Sequence, residues 1–205
     1  MAKQSSVFFS LLLSLIYFNS FSWSQVQSQI QSTSVGDNNE IKLEVPSQLT
    51  EHYADIGADF SIRYPKKCII KKFKGLPFKT IIAPIEEAFY PNGNFLEDTN
   101  KKNIDTTLGE YVSATIKNLK NKYVGRDFKI LNKSKFKTHE GLNGLRVSVT
   151  MQQNHNLLKQ TFYFFSVEKK KKIVVAFTCL AKSGKKYEVA VDSCVKTLKI
   201  FNEER

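Results

Sequence analysis

The residues able to do chemistry are few and scattered. His52, His139 and His155 stand far apart in the 205-residue sequence, with no HExxH and no second histidine or cysteine at ligand spacing. A zinc site needs such donors at short, defined intervals. Cys68, Cys179 and Cys194 form no CxxC pair. A thiolate nucleophile needs an exposed cysteine beside a base, whereas Cys179 and Cys194 fall on apolar faces. The sequence holds no GxSxG, no P-loop and no GxGxxG. The acidic pairs Glu86-Glu87 and Glu97-Asp98 lie in loop-like sequence, with nothing to set one carboxyl up as acid and its neighbour as base. The sequence therefore offers no catalytic residue, no metal ligand and no cofactor site.

Two of the cysteines have a structural use. Cys179 shares a strand face with Ile173, Val175 and Phe177, and Cys194 lies on the apolar stripe of a final helix. A helix laid on that face would bring them near each other, making Cys179–Cys194 a candidate disulfide worth about 3 kcal/mol if unstrained. Two buried free thiols are the competing expectation, and Cys68 is left as a buried thiol in either case. The one concentrated basic feature is Lys169-Lys170-Lys171-Lys172, expected at a hairpin tip. It reads as a solvated, edge-protecting turn or as a contact for an anionic surface.

The elements that position these residues follow an export signal. Val7 to Phe18 is an apolar core behind a single charge, Lys3, and Ser22-Trp23-Ser24 offers small residues at the −3 and −1 positions of a cleavage site. A spanning helix needs about 20 apolar residues, and serines interrupt this shorter run. No cysteine stands near the cleavage point to carry a lipid. Residues 1–24 are expected to be removed, leaving a periplasmic or secreted chain with no later segment apolar enough to span a bilayer. Residues 25–57 read as a flexible leader, 58–201 as one domain and 202–205 as a tail. The formal net charge is +12, yet only Arg63, Arg126, Arg146 and Arg205 among the basic residues are arginine. Lysine is a solvated point charge, while arginine is the residue of bidentate phosphate and base recognition. The surface is thus that of a soluble basic protein or of one meeting an acidic partner, rather than of a nucleic-acid binder.

Within the domain, Phe60, Ile62 and Tyr64 alternate with polar residues and Pro65 ends the strand. Thr80 to Ile85 is an apolar run bent at Pro84, and Tyr90 to Asn94 has turn composition. Thr107 and Glu110 form a capping box before a stripe of Leu108, Val112, Ile116, Leu119 and Tyr123, with Gly125 as a stop. From Phe128 to Leu180 the period is two, and four strands read as an antiparallel meander. Its third strand holds Phe162-Tyr163-Phe164-Phe165, apolar on both faces and so expected to lie centrally, covered on both sides. Residues 185–199 read as a last helix through Tyr187, Val191, Cys194 and Leu198. The fold expected is α+β, a central antiparallel sheet sandwiched between helices.

This order, with the phrases Phe60-Ser61-Ile62-Arg63-Tyr64-Pro65, Pro91-Asn92-Gly93-Asn94-Phe95, Thr107-Leu108-Gly109-Glu110-Tyr111, Gly141-Leu142-Asn143-Gly144 and Val195-Lys196-Thr197-Leu198-Lys199-Ile200, resembles the PsbP-like superfamily, nearest to its bacterial DcrB-like proteins. The resemblance runs over about residues 56–201. Cys68 stands in a region where that family commonly has an aromatic residue. The resemblance implies an α/β/α sandwich without catalytic apparatus, used by adaptors, assembly factors and chaperone-like binders. An exported binding or accessory protein is the leading expectation, its partner a protein or an anionic envelope surface. A lipid, polysaccharide or small-ligand carrier with a pocket between sheet and helix is the alternative, and a hydrolase with a hidden site the second.

Overall fold

The structure, a computed structural model, describes residues 49, 51–55, 59–72, 79–87, 89–153, 155–167 and 171–201. The signal segment 1–24, almost all of the expected leader, Lys169 and Lys170 lie outside them. Among the described residues ten strands form two antiparallel sheets. The larger has the order β3 (Ile69–Lys72), β4 (Lys79–Ile82), β5 (Asn92–Asp98), β9 (Lys171–Leu180), β8 (Asn156–Val167), β7 (Asn143–Gln153) and β6 (Lys129–Lys137). The smaller joins β1 (Glu51–Asp55), β2 (Phe60–Tyr64) and β10 (Lys199–Ile200). The expected meander is β6 to β9, each strand pairing antiparallel with the next. Because β1 pairs with β2 from Glu51↔Tyr64 to Asp55↔Phe60, residues 51–55 belong to the folded domain, which begins before the expected boundary at 58.

The described residues also form the helices α1 (Lys101–Ile104), α2 (Leu108–Lys122) and α3 (Gly184–Lys196). The capping box that the sequence announces is formed. The Thr107 hydroxyl oxygen accepts from the Glu110 backbone N–H, and the Glu110 carboxylate accepts from the Thr107 N–H at 2.9 Å. Gly125 follows the helix at φ +75°, a conformation open to glycine at little cost. Helix α3 stops at Lys196, earlier than expected, since the Thr197 hydroxyl donates to the Cys194 carbonyl at 2.6 Å. The chain is thereby freed for β10 to pair with β2.

The strand alternation sorts the core into two layers. Leu158, Phe162 and Phe164 of β8 join Val174 and Ala176 of β9 under Val112 and Leu119 of α2. Tyr163, Phe165 and Val167 turn the other way, with Ile173 and Val175, to meet Val195 and Leu198 and the small sheet through Phe60 and Ile62. The architecture is the expected α+β sandwich, with the small sheet sharing the second covering layer with α3. Gly144 of β7 sits where a Cβ would come within 2.6 Å of the Phe164 carbonyl oxygen and the Phe165 ring, so only glycine fits beside β8.

The sequence misreads β5. Asn92, Gly93 and Asn94 have turn composition, yet they run along a strand buried between β4 and β9. A chain of hydrogen bonds permits this. Thr80 Oγ1 donates to Asn94 Oδ1 at 2.8 Å, Asn94 Nδ2 to Asn92 Oδ1 at 3.2 Å, and Asn92 Nδ2 to the Tyr90 carbonyl at 2.9 Å. A buried amide without such partners would cost several kcal/mol. With them the segment is as good a strand as an apolar one.

Candidate functional site

Helix α3 has two working faces. Tyr187, Ala190, Val191, Cys194 and Val195 recur at spacings of three and four, so one stripe faces the sheet. Opposite them stand Ile62 and Tyr64 of β2, Ile81 of β4, Phe95 of β5, and Val175 and Phe177 of β9. The surfaces do not close. Between them lies a cleft of about 60 Å³, partly open to solvent, whose exposed lining is wholly apolar. Gly93 helps to leave the space, since a Cβ there would stand 3.6 Å from the Phe177 ring.

The other face of α3 carries Glu188 and Asp192, one turn apart. Both bind Arg146, which projects from β7 and is 6% exposed. Arg146 Nε donates to Asp192 Oδ1 at 3.1 Å and a terminal guanidinium nitrogen donates to Glu188 Oε1. Lys159 Nζ donates to Glu188 Oε2 at 3.0 Å, and the Tyr163 hydroxyl donates to Asp192. Burial raises the pKa of the Tyr163 phenol and the Asp192 carboxylate pushes it the same way, so it stays a donor. Burial also works against the charge of Glu188, but its bonds to Lys159 and Arg146 outweigh that and hold its pKa below the usual value. The network is a clamp. It spends its donors and acceptors on one another and fixes the height of α3 above the sheet.

The sequence missed this clamp, since the alternation of Leu145 to Gln152 puts Arg146 among polar, outward-looking residues. The available signal was a rare arginine inside an apolar strand, with two acids at i and i+4 on the last helix.

The structure leaves unbonded the two cysteines that the sequence offered as a candidate pair. All three are free thiols. Cys179 packs with Tyr187 in the first part of α3, together with Cys68. Cys194 packs instead against the neighbouring cluster of Phe60, Val195 and Leu198, and the candidate Cys179–Cys194 bond is not formed. Cys194 also lines the cleft with Cys68. Burial pushes Cys68 up to about 11 and Cys179 and Cys194 each up to about 12, which keeps all three protonated and unreactive at neutral pH.

The four-lysine tip is shorter than expected. Lys171 and Lys172 are strand residues of β9, buried and partnered. Lys171 Nζ lies 2.8 Å from Glu97 and 3.6 Å from Asp59, and Lys172 Nζ donates to the Thr106 carbonyl at 2.8 Å and to Ser166 Oγ at 3.0 Å. Long aliphatic stems let lysine enter a strand whose polar ends reach partners, so neither offers its charge to a surface. Lys169 and Lys170 lie outside the described residues. The acidic pairs are structural as well. Glu86 accepts from Ser183 Oγ at 2.8 Å, and Asp98 accepts from Asn103 Nδ2 at 2.7 Å. The three histidines are exposed. Among the described residues no group of three or more His, Cys, Asp or Glu is placed to hold a metal, and no helix is long and apolar enough to cross a membrane.

No family model matches the chain and no curated protein resembles it significantly in sequence. Solved structures do resemble it in shape. The cyanobacterial PsbP protein (CyanoP) of Synechocystis superposes with a TM-score of 0.56 at 12% identity, over 82% of this chain and 99% of that one. A Pseudomonas aeruginosa protein of unknown function gives 0.54 at 14%, over 74% and 97%. The Saccharomyces cerevisiae Ran-binding protein Mog1p gives 0.50 at 10%, over 74% and 95%. At these identities the likeness concerns the fold, which is the PsbP-like α+β sandwich. The narrower resemblance to DcrB-like proteins gains nothing from it.

Two measurements check this geometry. The native protein should alkylate slowly at neutral pH, and all three cysteines should react without reductant once it is unfolded. A linked 179–194 peptide would contradict the structure. The depressed Glu188 pKa makes its contribution fully present above the unfolded carboxylate value near pH 4, and lost as pH falls through the lower folded value. Denaturant unfolding across pH should therefore show Glu188→Gln less stable than the native chain at neutral pH, with a shallower decline below about pH 4.

Proposed function

We propose that the chain is an exported, non-enzymatic binding or accessory protein that docks a protein partner, and that the cleft under α3 receives an apolar side chain of that partner. The cleft carries this reading. An apolar, half-open hollow in a clamped wall is a preformed anchor site, and such anchors supply much of the energy of protein interfaces. Its size favours a side chain over a whole ligand. At about 60 Å³ it is less than half the ~150 Å³ of a dry cavity that accepts benzene, so it suits a branched aliphatic tip and not a lipid or sugar. A sugar would also need polar groups, which the exposed lining lacks. The titratable groups beside α3 are committed to each other, which counts against a hydrolase. The net charge of +12 would speed encounter with an acidic partner without naming it. Export rests on residues 1–24 of the sequence.

Ala190 lines the cleft and is 5% exposed. Ala190→Leu should fill the hollow at a cost of about 1–3 kcal/mol for overpacking. Affinity capture from the native envelope or medium should then lose a protein that the native chain retains, while circular dichroism stays unchanged. A partner retained equally by both chains would contradict the proposal, and a co-purifying lipid in place of a protein would favour the carrier.

A further inference from the structure

Among the described residues the large sheet ends at β6, which pairs with β7 alone. At nine residues β6 exceeds the usual strand of about five or six. Its outer edge presents a row of backbone N–H and C=O groups ready to pair with another strand. Along the whole strand only Phe136 is buried. Ile130 and Leu131 are each 53% exposed, where the register skips from Ile130 to Asn132 in a bulge.

The side chains decide what the edge accepts. Lys129, Lys133, Lys135 and Lys137 lie on β6, which has no acidic residue. Among the described residues none of these four lysines forms a salt bridge. Glu140, just beyond the strand, is held by Lys199. Lys133 and Lys135 stand opposite Val147 and Leu145, so they share one face of the sheet. A second copy of β6 would bring lysine against lysine, which is unfavourable. A strand with acids at alternate positions would meet them with opposite charge and satisfy the free backbone groups.

We propose that β6 is a docking strand, to which an extended acidic segment of a partner protein adds as an eighth strand of the sheet. This surface is independent of the cleft under α3, and either can fail without the other.

The test uses the full chain and a synthetic nine-residue peptide alternating Glu with Thr. One control replaces Glu by Lys, and a second keeps Glu but carries N-methyl groups on alternate amides. Titration and amide hydrogen exchange by NMR are the readouts. The acidic peptide should bind, slow the exchange of amides within residues 132–137, and lose affinity as salt is raised. The exposed triple variant Lys133→Gln/Lys135→Gln/Lys137→Gln, confirmed as folded by its thermal transition, should bind about tenfold more weakly. The methylated peptide should not bind. Equal binding by the methylated peptide would reduce the contact to charge alone and overturn strand addition. Equal binding by the lysine peptide, no binding by the acidic one, or protection of β6 that rises with protein concentration in the absence of peptide would each overturn the proposal.

Discussion

Phe162, Tyr163, Phe164 and Phe165 run consecutively along β8, and none keeps any exposed surface. Strand side chains alternate, so two rings point to each face and both faces must be covered. Each ring contributes about 1.5–3 kcal/mol on burial, so together they rival the 5–15 kcal/mol by which a whole domain is stable. The rest of the architecture answers this demand. Helix α2 covers Phe162 and Phe164 on one side, with Tyr111 edge-on to Phe164 at 6.2 Å. On the other side Phe136 meets the Tyr163 ring at 4.9 Å, and α3 and β2 complete the cover.

The second cover is the less uniform one, and its unevenness leaves the cleft. Helix α3 is tied to the sheet along one side by the Arg146 clamp, where the buried Arg146 is matched by the half-buried Glu188 and Asp192. Removing one partner of such a group leaves an uncompensated charge and is costly. Along its other side α3 meets mostly apolar groups, some of them small, which leave a hollow, while Lys186 reaches Glu86 at 3.5 Å. The clamp ties α3 to β7 and β8 beside the cleft without entering its lining.

Much of this was legible in the sequence because it rests on local pattern. The capping box at Thr107 and Glu110, the period-two run of the meander and the doubly apolar stretch 162–165 each fix an element through rules that need no distant partner. β5 was not legible, because its strand character depends on Thr80 and Tyr90 accommodating Asn92 and Asn94, a tertiary arrangement that composition cannot show. Arg146 was missed for the same reason, since a polar residue in an alternating strand looks solvated until its acids arrive from α3. Lys171 and Lys172 were read as a charged tip because four lysines in a row look like a turn. Two of them are strand residues with partners brought from β5 and from the turn before α2. For Cys179 and Cys194 the sequence left a bond and two free thiols open, and the structure holds free thiols packed into different clusters, a tertiary choice that their faces alone do not show.

If the hollow under α3 is preformed and apolar, it should take one small apolar group. Xenon is a direct probe, since it enters dry apolar cavities without needing a hydrogen bond. Methyl NMR spectra recorded under xenon pressure should show saturable shifts confined to Ile62, Ile81, Ala83, Val175, Ala190, Val191 and Val195, the methyl groups that line the cleft. Shifts spread evenly over the molecule, or none at these residues, would contradict the account.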